Sequence, residues 1–270
     1  MKIIDSKGRF SRYLKPIIHK IIFRKKIGQR VLIFGCQRSG TTLLSKLFDD
    51  HLRCSVYSEA SILSNDDQFK LRLNCIEDVI SKLNRDVAPI VIMKPLVESQ
   101  NSRLLLDEIP NSKAIWLFRE PSEVVHSAIV KFGPYEGAIN KIKPLFDKEF
   151  AKNPWTPWLT ENISEKLLAE IKPFYAENIS ANDAGLIFWY LRNMQFFENN
   201  LQNDKRAILL SYESLLEGSD KISNFIDDKK FQLSFSRVSR QSSRKKLDCN
   251  IELMNKCKEL YNKMEVLACK

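Results

Sequence analysis

The chain has 270 residues, 44% apolar and 28% charged, with a formal charge of +10 from 43 Lys and Arg against 33 Asp and Glu. That is the composition of a soluble globular protein long enough to bury a substantial core, and its basic excess favours a nucleotide, an acidic glycan, nucleic acid or a membrane surface as partner; no base-reading motif accompanies it. Three histidines argue against a His/Cys metal cluster, and six cysteines without a CxxC pair read as reduced thiols packed mostly in the core. Without a spanning apolar run or a signal peptide, the expectation is a cytoplasmic protein with a single domain over 1–270.

Residues 9 to 29 place Phe10, Tyr13, Leu14, Ile17, Ile18, Ile21 and Ile22 on one helical face, with Arg9, Arg12, Lys15, Arg24 and Lys25 largely elsewhere. This basic amphipathic segment, 1–29, suits either an anionic membrane or a surface helix docked on the core. Pro16 interrupts a short stripe, which favours docking. Four apolar residues, Val31 to Phe34, then end at Gly35 and read as a strand buried on both faces. Leu43, Leu44, Leu47 and Phe48 mark one face of a following helix. Strand, tight loop and helix direct loop N–H groups and a helix N-terminus at one spot, which suits a phosphate or sulfate. The spacing is that of a P-loop, but Thr41 stands where a nucleotide triphosphatase has its Lys, and the cation comes earlier, as Arg38. Hydrolysis of ATP or GTP would lack its main electrophile.

Arg38-Ser39-Gly40-Thr41-Thr42-Leu43 after a hydrophobic strand resembles the 5′-phosphosulfate loop of sulfotransferases that use 3′-phosphoadenosine 5′-phosphosulfate (PAPS). The resemblance is closest to the R-S-G-T-T branch, which includes tyrosylprotein sulfotransferases and bacterial carbohydrate sulfotransferases. It implies that Arg38, Ser39, Gly40, Thr41 and Thr42 hold the phosphosulfate.

His51 falls near the end of that helix, where the dipole favours a cation. Cys54 to Tyr57 reads as a second strand, with Ser58 capping a further helix and Glu59 at its first position. An acid is welcome in a first turn; the resemblance implies more, because Glu59 lies 21 residues after Arg38, where tyrosylprotein sulfotransferases place their catalytic base. Phe69, Leu73, Ile76, Ile80 and Leu83 predict a packing helix capped by Asp66 or Asp67. Pro89 to Met93 is a third strand that delivers Lys94 at its carboxyl end, where open α/β sheets bind ligands; in the family such a Lys touches the transferring sulfate. Ala114 to Phe118 is a fourth strand, followed by Arg119, Pro121 at a helix start, and Ser127 eight residues after Arg119. This resembles the family's 3′-phosphate element, and the chemistry suits: a planar fork plus a neutral hydroxyl. His126 is expected on the opposite side of that helix, a reserve candidate for acid–base work.

Residues 131–185 mix aromatics, prolines and lysines without a βαβ rhythm and read as an acceptor-binding cap of helix and loop. A buried helix is expected over 183–200 and a fifth strand over 207–210, followed by Tyr212-Glu213-Ser214-Leu215. This resembles a family element whose Tyr lies near the nucleotide, with Ser214 in place of its usual Asp. Residues 237–246 form a basic, Ser-rich stretch of the kind that closes over the 3′-phosphate in the family, and a last packing helix runs from Ile251 to Met264.

The expected fold is therefore α/β and P-loop NTPase-like, a mainly parallel sheet of about five strands with helices on both faces and a helical or loop cap. The resemblance implies a sulfotransferase that transfers the sulfuryl group of PAPS to an acceptor hydroxyl (glycan, phenol or small alcohol) and needs no metal. Glu59, Arg38 and Lys94 would be catalytic; the phosphosulfate loop, Arg119, Ser127 and Tyr212 would bind the cofactor. A P-loop kinase or NTPase, a silent nucleotide-binding protein and a membrane-peripheral scaffold using the basic N-terminus stay open.

Overall fold

Strand β1 (Gln29–Gly35) is buried along its whole length, and Val31, Leu32, Ile33 and Phe34 expose nothing to solvent. Side chains along a strand point alternately to its two faces, so such a run needs an apolar layer on each side. Both layers are present in the computed structural model, which describes residues 14–23, 28–65, 70–146, 158, 161–218, 220–228, 230–233 and 247–269. β2 (Cys54–Tyr57), β3 (Ile90–Met93), β4 (Ser112–Phe118) and β5 (Ala207–Ser211) complete a five-stranded sheet in the order β2-β3-β1-β4-β5, with every pair parallel.

Helix α1 (Lys15–Ile22) precedes β1, α2 (Thr41–Asp50) joins β1 to β2, α3 (Ile76–Asn84) joins β2 to β3, and α4 (Ser102–Glu108) joins β3 to β4. Between β4 and β5 come α5 (Pro121–Pro134), α6 (Asn140–Phe146), α7 (Glu165–Ile171) and α8 (Ala181–Glu198). After β5 come α9 (Tyr212–Glu217), α10 (Lys221–Phe225) and α11 (Ile251–Ala268). Leu32, Phe34, Met93, Trp116 and Phe118 point into the larger layer, against α3, α4, α5, α8 and α11. Val31, Ile33, Ile92, Ile115 and Leu117 face the smaller one, with Leu44 and Phe48 of α2, Leu215 and Ile222. The α/β, P-loop NTPase-like fold expected from the sequence is the one observed.

The topology fixes where a ligand can sit. From β1 the chain moves to β2 and β3 on one side, then crosses β1 to build β4 and β5 on the other. The carboxyl end of β1 is thus the switch point at which open α/β sheets bind ligands. Gly35 closes that end in a backbone conformation with φ 134°, and a Cβ there would stand 2.1 Å from the Leu117 carbonyl oxygen. Only glycine lets β1 run that close to β4 before the loop begins.

Five local expectations need correction. Ser58 and Glu59 lie in a turn and start no helix; Ser58 Oγ donates to the Ala60 carbonyl at 3.2 Å, so Glu59 occupies no first helical turn. The packing helix begins at Ile76, and Leu73 instead bridges Ser64 in antiparallel fashion, while Asp66, Asp67 and Phe69 lie outside the described residues. The core holds Cys36, Cys54 and Cys257 but not most of the six thiols, since Cys75 and Cys269 are exposed. α1 docks with its polar side: Lys15 and His19 are buried while Ile17, Ile21 and Ile22 are exposed. The cation at the α2 carboxyl end is accordingly Lys15, whose ammonium donates to the Asp49 carbonyl. His51 is instead held below its usual pKa by burial, then by Lys15 and Arg53, and its Nδ1 accepts from the Arg53 N–H at 3.2 Å.

Gly35→Ala is expected to lower unfolding stability by about 3 kcal/mol, from backbone strain plus overpacking against Leu117. Urea denaturation of the two proteins measures it, and a loss below about 1 kcal/mol would contradict the tight β1–β4 closure.

Candidate active site

The loop from Cys36 to Gly40 turns between β1 and α2 with two residues in the left-handed region, Arg38 at φ 70° and Gly40 at φ 93°. At Gly40 a Cβ would come within 2.5 Å of the Tyr212 ring, so the glycine serves both the turn and a close approach. α2 starts at Thr41 with no side-chain cap, which leaves its first N–H groups available to an anion. Ser39 is wholly buried; its N–H donates to the Cys36 carbonyl at 3.3 Å and its Oγ has no partner among the described residues.

Two further elements meet this loop. The side chain of Arg38 donates from Nε to Ser127 Oγ at 3.0 Å, tying the loop to α5. Arg119, at the end of β4, stacks its guanidinium 4.2 Å from the Tyr212 ring centroid and pairs with Glu123 at 2.7 Å. Its carbonyl accepts from Trp189 Nε1 at 2.9 Å, which fixes the backbone where the strand ends. A cavity of about 620 Å³ lies between these groups, lined by Arg38, Gly40, Thr41, Thr42, Arg119, Ser127 and Tyr212, with Glu123, His126 and Lys131 on its α5 wall. His126 therefore faces the same cavity as Ser127, a correction to the expected opposite face; a helix residue and its neighbour are only 100° apart.

Lys94 enters from the other side. It is 6% exposed at the carboxyl end of β3, donates to Thr42 Oγ1 at 3.1 Å and stands 3.4 Å from Glu59 Oε2. Thr42 thus links the cavity to a Lys–Glu pair. Arg38, Glu59, Lys94, Arg119 and Tyr212 come from the ends of different strands and Ser127 from α5, yet they surround one loop. Residues 237–246 lie outside the described residues.

The electrostatics favour a multiply charged anion. Arg38, Arg119 and Lys131 line the cavity against one lining carboxylate, Glu123. Burial, then the neighbouring Arg119, lowers the pKa of Arg38: two guanidiniums are held together at a cost that an anion would relieve. Behind the loop, Arg192 of α8 is 2% exposed and donates to Gln100 Oε1 at 3.1 Å and to the Leu96 carbonyl at 2.8 Å. Lys141 of α6 sits 4.5 Å from the Phe188 ring centroid and is pushed down to about 8, first by burial and further by Arg192 and Arg38. Sequence reasoning missed Glu123, Lys131, Lys141 and Arg192 as parts of this region. Glu123 and Lys131 were within reach, since 123, 127 and 131 repeat every four residues on one helix face. Lys141 and Arg192 carry no local signal.

No protein-family model matches the chain, and no curated protein does. Solved structures do. A sulfotransferase from Alicyclobacillus acidocaldarius superposes with TM-score 0.50 at 13% identity, over 89% of this chain and 94% of that one. The sulfotransferase domain from the curacin biosynthetic pathway gives TM-score 0.44 at 15% identity, over 74% of each chain. A mouse sulfotransferase complexed with PAP gives TM-score 0.36 at 16% identity, over 81% of this chain and 66% of that one. At such identities the likeness to the first is a likeness of fold.

Because Lys141 is disfavoured as a cation in the folded state, the unfolded chain binds its proton more tightly. Folding stability contributed by this group therefore rises with pH from about 8 toward the ordinary lysine value of 10.5. The stability difference between Lys141→Met and the parent protein should shift toward the parent over that window, read from urea midpoints at pH 7.5 and about 9.5; a difference constant with pH would place the ammonium in solvent.

Proposed function

We propose that this chain is a sulfotransferase that moves the sulfuryl group of PAPS to an acceptor hydroxyl by in-line displacement. The observation that carries the reading is the Arg38–Ser127 hydrogen bond, which places a P-loop lacking the NTPase lysine and an Arg-plus-Ser element on one cationic cavity. One end of that cavity suits a phosphosulfate, the other a second phosphate. This is the pairing that separates PAPS from ATP. The fold shared with a bacterial sulfotransferase supports the same class.

In this reading Arg38 and the uncapped N–H groups of α2 bind the 5′-phosphosulfate, while Arg119, with Ser127, binds the 3′-phosphate and exchanges its pairing with Glu123 for it. Tyr212 packs under the Arg119 fork and keeps it in plane. Lys94, held by Thr42, supplies positive charge where the bridging oxygen gains electrons as the S–O bond breaks. Glu59 takes the acceptor's proton as its oxygen attacks sulfur, a role supported by its carboxylate lying 3.4 Å from the Lys94 ammonium. No step calls for a metal. The acceptor is an alcohol, with a glycan hydroxyl as first choice and phenols or small alcohols as the other classes to test. Thr41 weighs against the rival kinase or NTPase reading.

Incubation with labelled PAPS and a panel of glycans, phenols and small alcohols should give a sulfated product and 3′,5′-adenosine bisphosphate. Label transfer from ATP instead would replace the proposal. Glu59→Gln should lower turnover by ~10²- to 10⁴-fold with bisphosphate affinity retained; unchanged turnover would remove Glu59 as the base. Arg119→Ala should weaken bisphosphate binding by about 1.5–3 kcal/mol and AMP binding far less, and calorimetry showing equal losses for both would assign the arginine elsewhere.

A further inference from the structure

Glu59 sits in a turn, so no helix or strand fixes its position. A short bridge and side-chain bonds do so instead. The Glu59 carbonyl accepts from Ser64 Oγ, and Ser64 bridges Leu73 in antiparallel fashion. On either side of that bridge, the Asn65 N–H donates to the Arg72 carbonyl at 2.8 Å and the Asn74 N–H to the Leu63 carbonyl at 2.9 Å. Asn74 Nδ2 adds bonds to the Leu63 and Ser64 carbonyls at 3.1 and 2.9 Å. The bridge lies outside the sheet, so Glu59 is placed by whatever fixes residues 72–74.

Arg72 does the fixing, with a guanidinium that spans two carboxylates. Nε and Nη2 donate to Glu98 Oε1 and Oε2 at 2.6 and 3.1 Å, while Nη1 and Nη2 donate to Glu161 Oε1 and Oε2 at 2.8 and 2.9 Å. A lysine ammonium cannot reproduce that planar double fork. Glu98 Oε1 also accepts from the Leu73 N–H at 3.1 Å, which pins the bridge partner of Ser64 at its backbone as well. Glu98 is 5% exposed and belongs to a 3-10 turn, Leu96–Asn101, that begins two residues after Lys94. That turn is fastened to the sheet and to α8: Ser99 Oγ accepts from the Gly35 N–H at 3.3 Å, and Gln100 Oε1 and the Leu96 carbonyl accept from Arg192. Lys94 and Glu98 thus sit on one well-held piece of chain, and the Arg72 fork draws the Glu59 turn onto it.

We propose that Arg72 is a positioning residue, whose fork across Glu98 and Glu161 holds the turn of Glu59 against Lys94. It acts through the Ser64–Leu73 bridge and needs no contact with a substrate. Glu161 carries the link onward to the segment that enters α7, because Gln100 Nε2 donates to Glu161 Oε2 at 3.3 Å and Asn162 Nδ2 to Asn101 Oδ1 at 2.7 Å. The consequence for proton transfer rests on the reading of Glu59 as the base; the placement itself does not.

The test compares the parent with Arg72→Met, and with Arg72→Met plus Glu98→Gln, which leaves no buried carboxylate uncompensated. Reductive methylation of lysines, read by peptide mass spectrometry, reports the placement without any turnover. Lys94 is 6% exposed in the parent and should be modified about tenfold faster in both variants. Lys15, 5% exposed on α1, should stay as slow as before. In the transfer assay kcat should fall about 10- to 100-fold, with affinity for 3′,5′-adenosine bisphosphate unchanged within about twofold. On a Glu59→Gln background the same Arg72 change should cost less than about twofold, since a misplaced base and an absent one are equivalent. Lys94 as protected as in the parent, Lys15 opening in step with it, losses that multiply with Glu59→Gln, or full activity from Arg72→Lys would each overturn the proposal. Opening of Lys94 in the variants of a parent that transfers no sulfuryl group would overturn the chemistry proposed for the cavity and still support the placing of Glu59 by Arg72.

Discussion

The site rests on the position of β1 between β3 and β4 in parallel register. Leu32 stands opposite Met93 and Gly35 opposite Leu117, so β1 and β4 end almost level, β3 ends three residues earlier, and all three point their carboxyl ends the same way. The segments leaving them are therefore brought to a single edge: the Arg38 loop after β1, Lys94 after β3 and Arg119 after β4. The crossing of the chain over β1 opens the crevice between them. Because Gly35 brings β1 within van der Waals limits of the Leu117 carbonyl, the loop starts from a rigid platform.

On that platform the protein gathers cations that would repel one another in the absence of a ligand. Arg38 and Arg119 share a cavity, and Lys141 and Arg192 lie behind the loop. Neighbouring side chains orient most of them. Ser127 accepts from Arg38, Tyr212 and Glu123 hold Arg119, Thr42 orients Lys94, and the Phe188 ring lies by Lys141. The neutral partners of Arg38 and Lys141 fix the direction of a charge without cancelling it, whereas Arg119 and Lys94 also face the carboxylates of Glu123 and Glu59. The positive potential inside the cavity and the basic N-terminal segment are separate features: the first is built from strand ends, the second from a stretch of sequence that precedes the sheet.

α1 shows how tertiary demands override local pattern. Its isoleucines form the stripe that ordinarily seeks a core, yet the available surface is the carboxyl end of α2 and the adjoining turn, whose carbonyls have no intrahelical donors. Lys15 and His19 satisfy those carbonyls, and the helix turns its apolar side outward to let them. Unmet backbone acceptors at a partly buried edge outweighed the burial of a short apolar stripe.

The five strands and the residues at their carboxyl ends were legible from the amino-acid order alone, because a strand buried on both faces must be apolar throughout and a P-loop-type turn has a fixed spacing. Arg38, Lys94 and Arg119 could be placed just past strands from those local signals, while Ser127 and Tyr212 were singled out only through the resemblance to sulfotransferases. Which of them touch was a matter for the folded molecule: that Arg38 reaches Ser127, that Glu59 sits in a turn beside Lys94, that His126 faces the cavity, and that Lys141 and Arg192 stand behind the loop. Arg38 and Ser127 are 89 positions apart and Glu59 and Lys94 are 35 apart, and no helical or strand period links positions that distant. Periodicity reports which face of an element is buried; what that face meets is settled by the packing of the elements on one another.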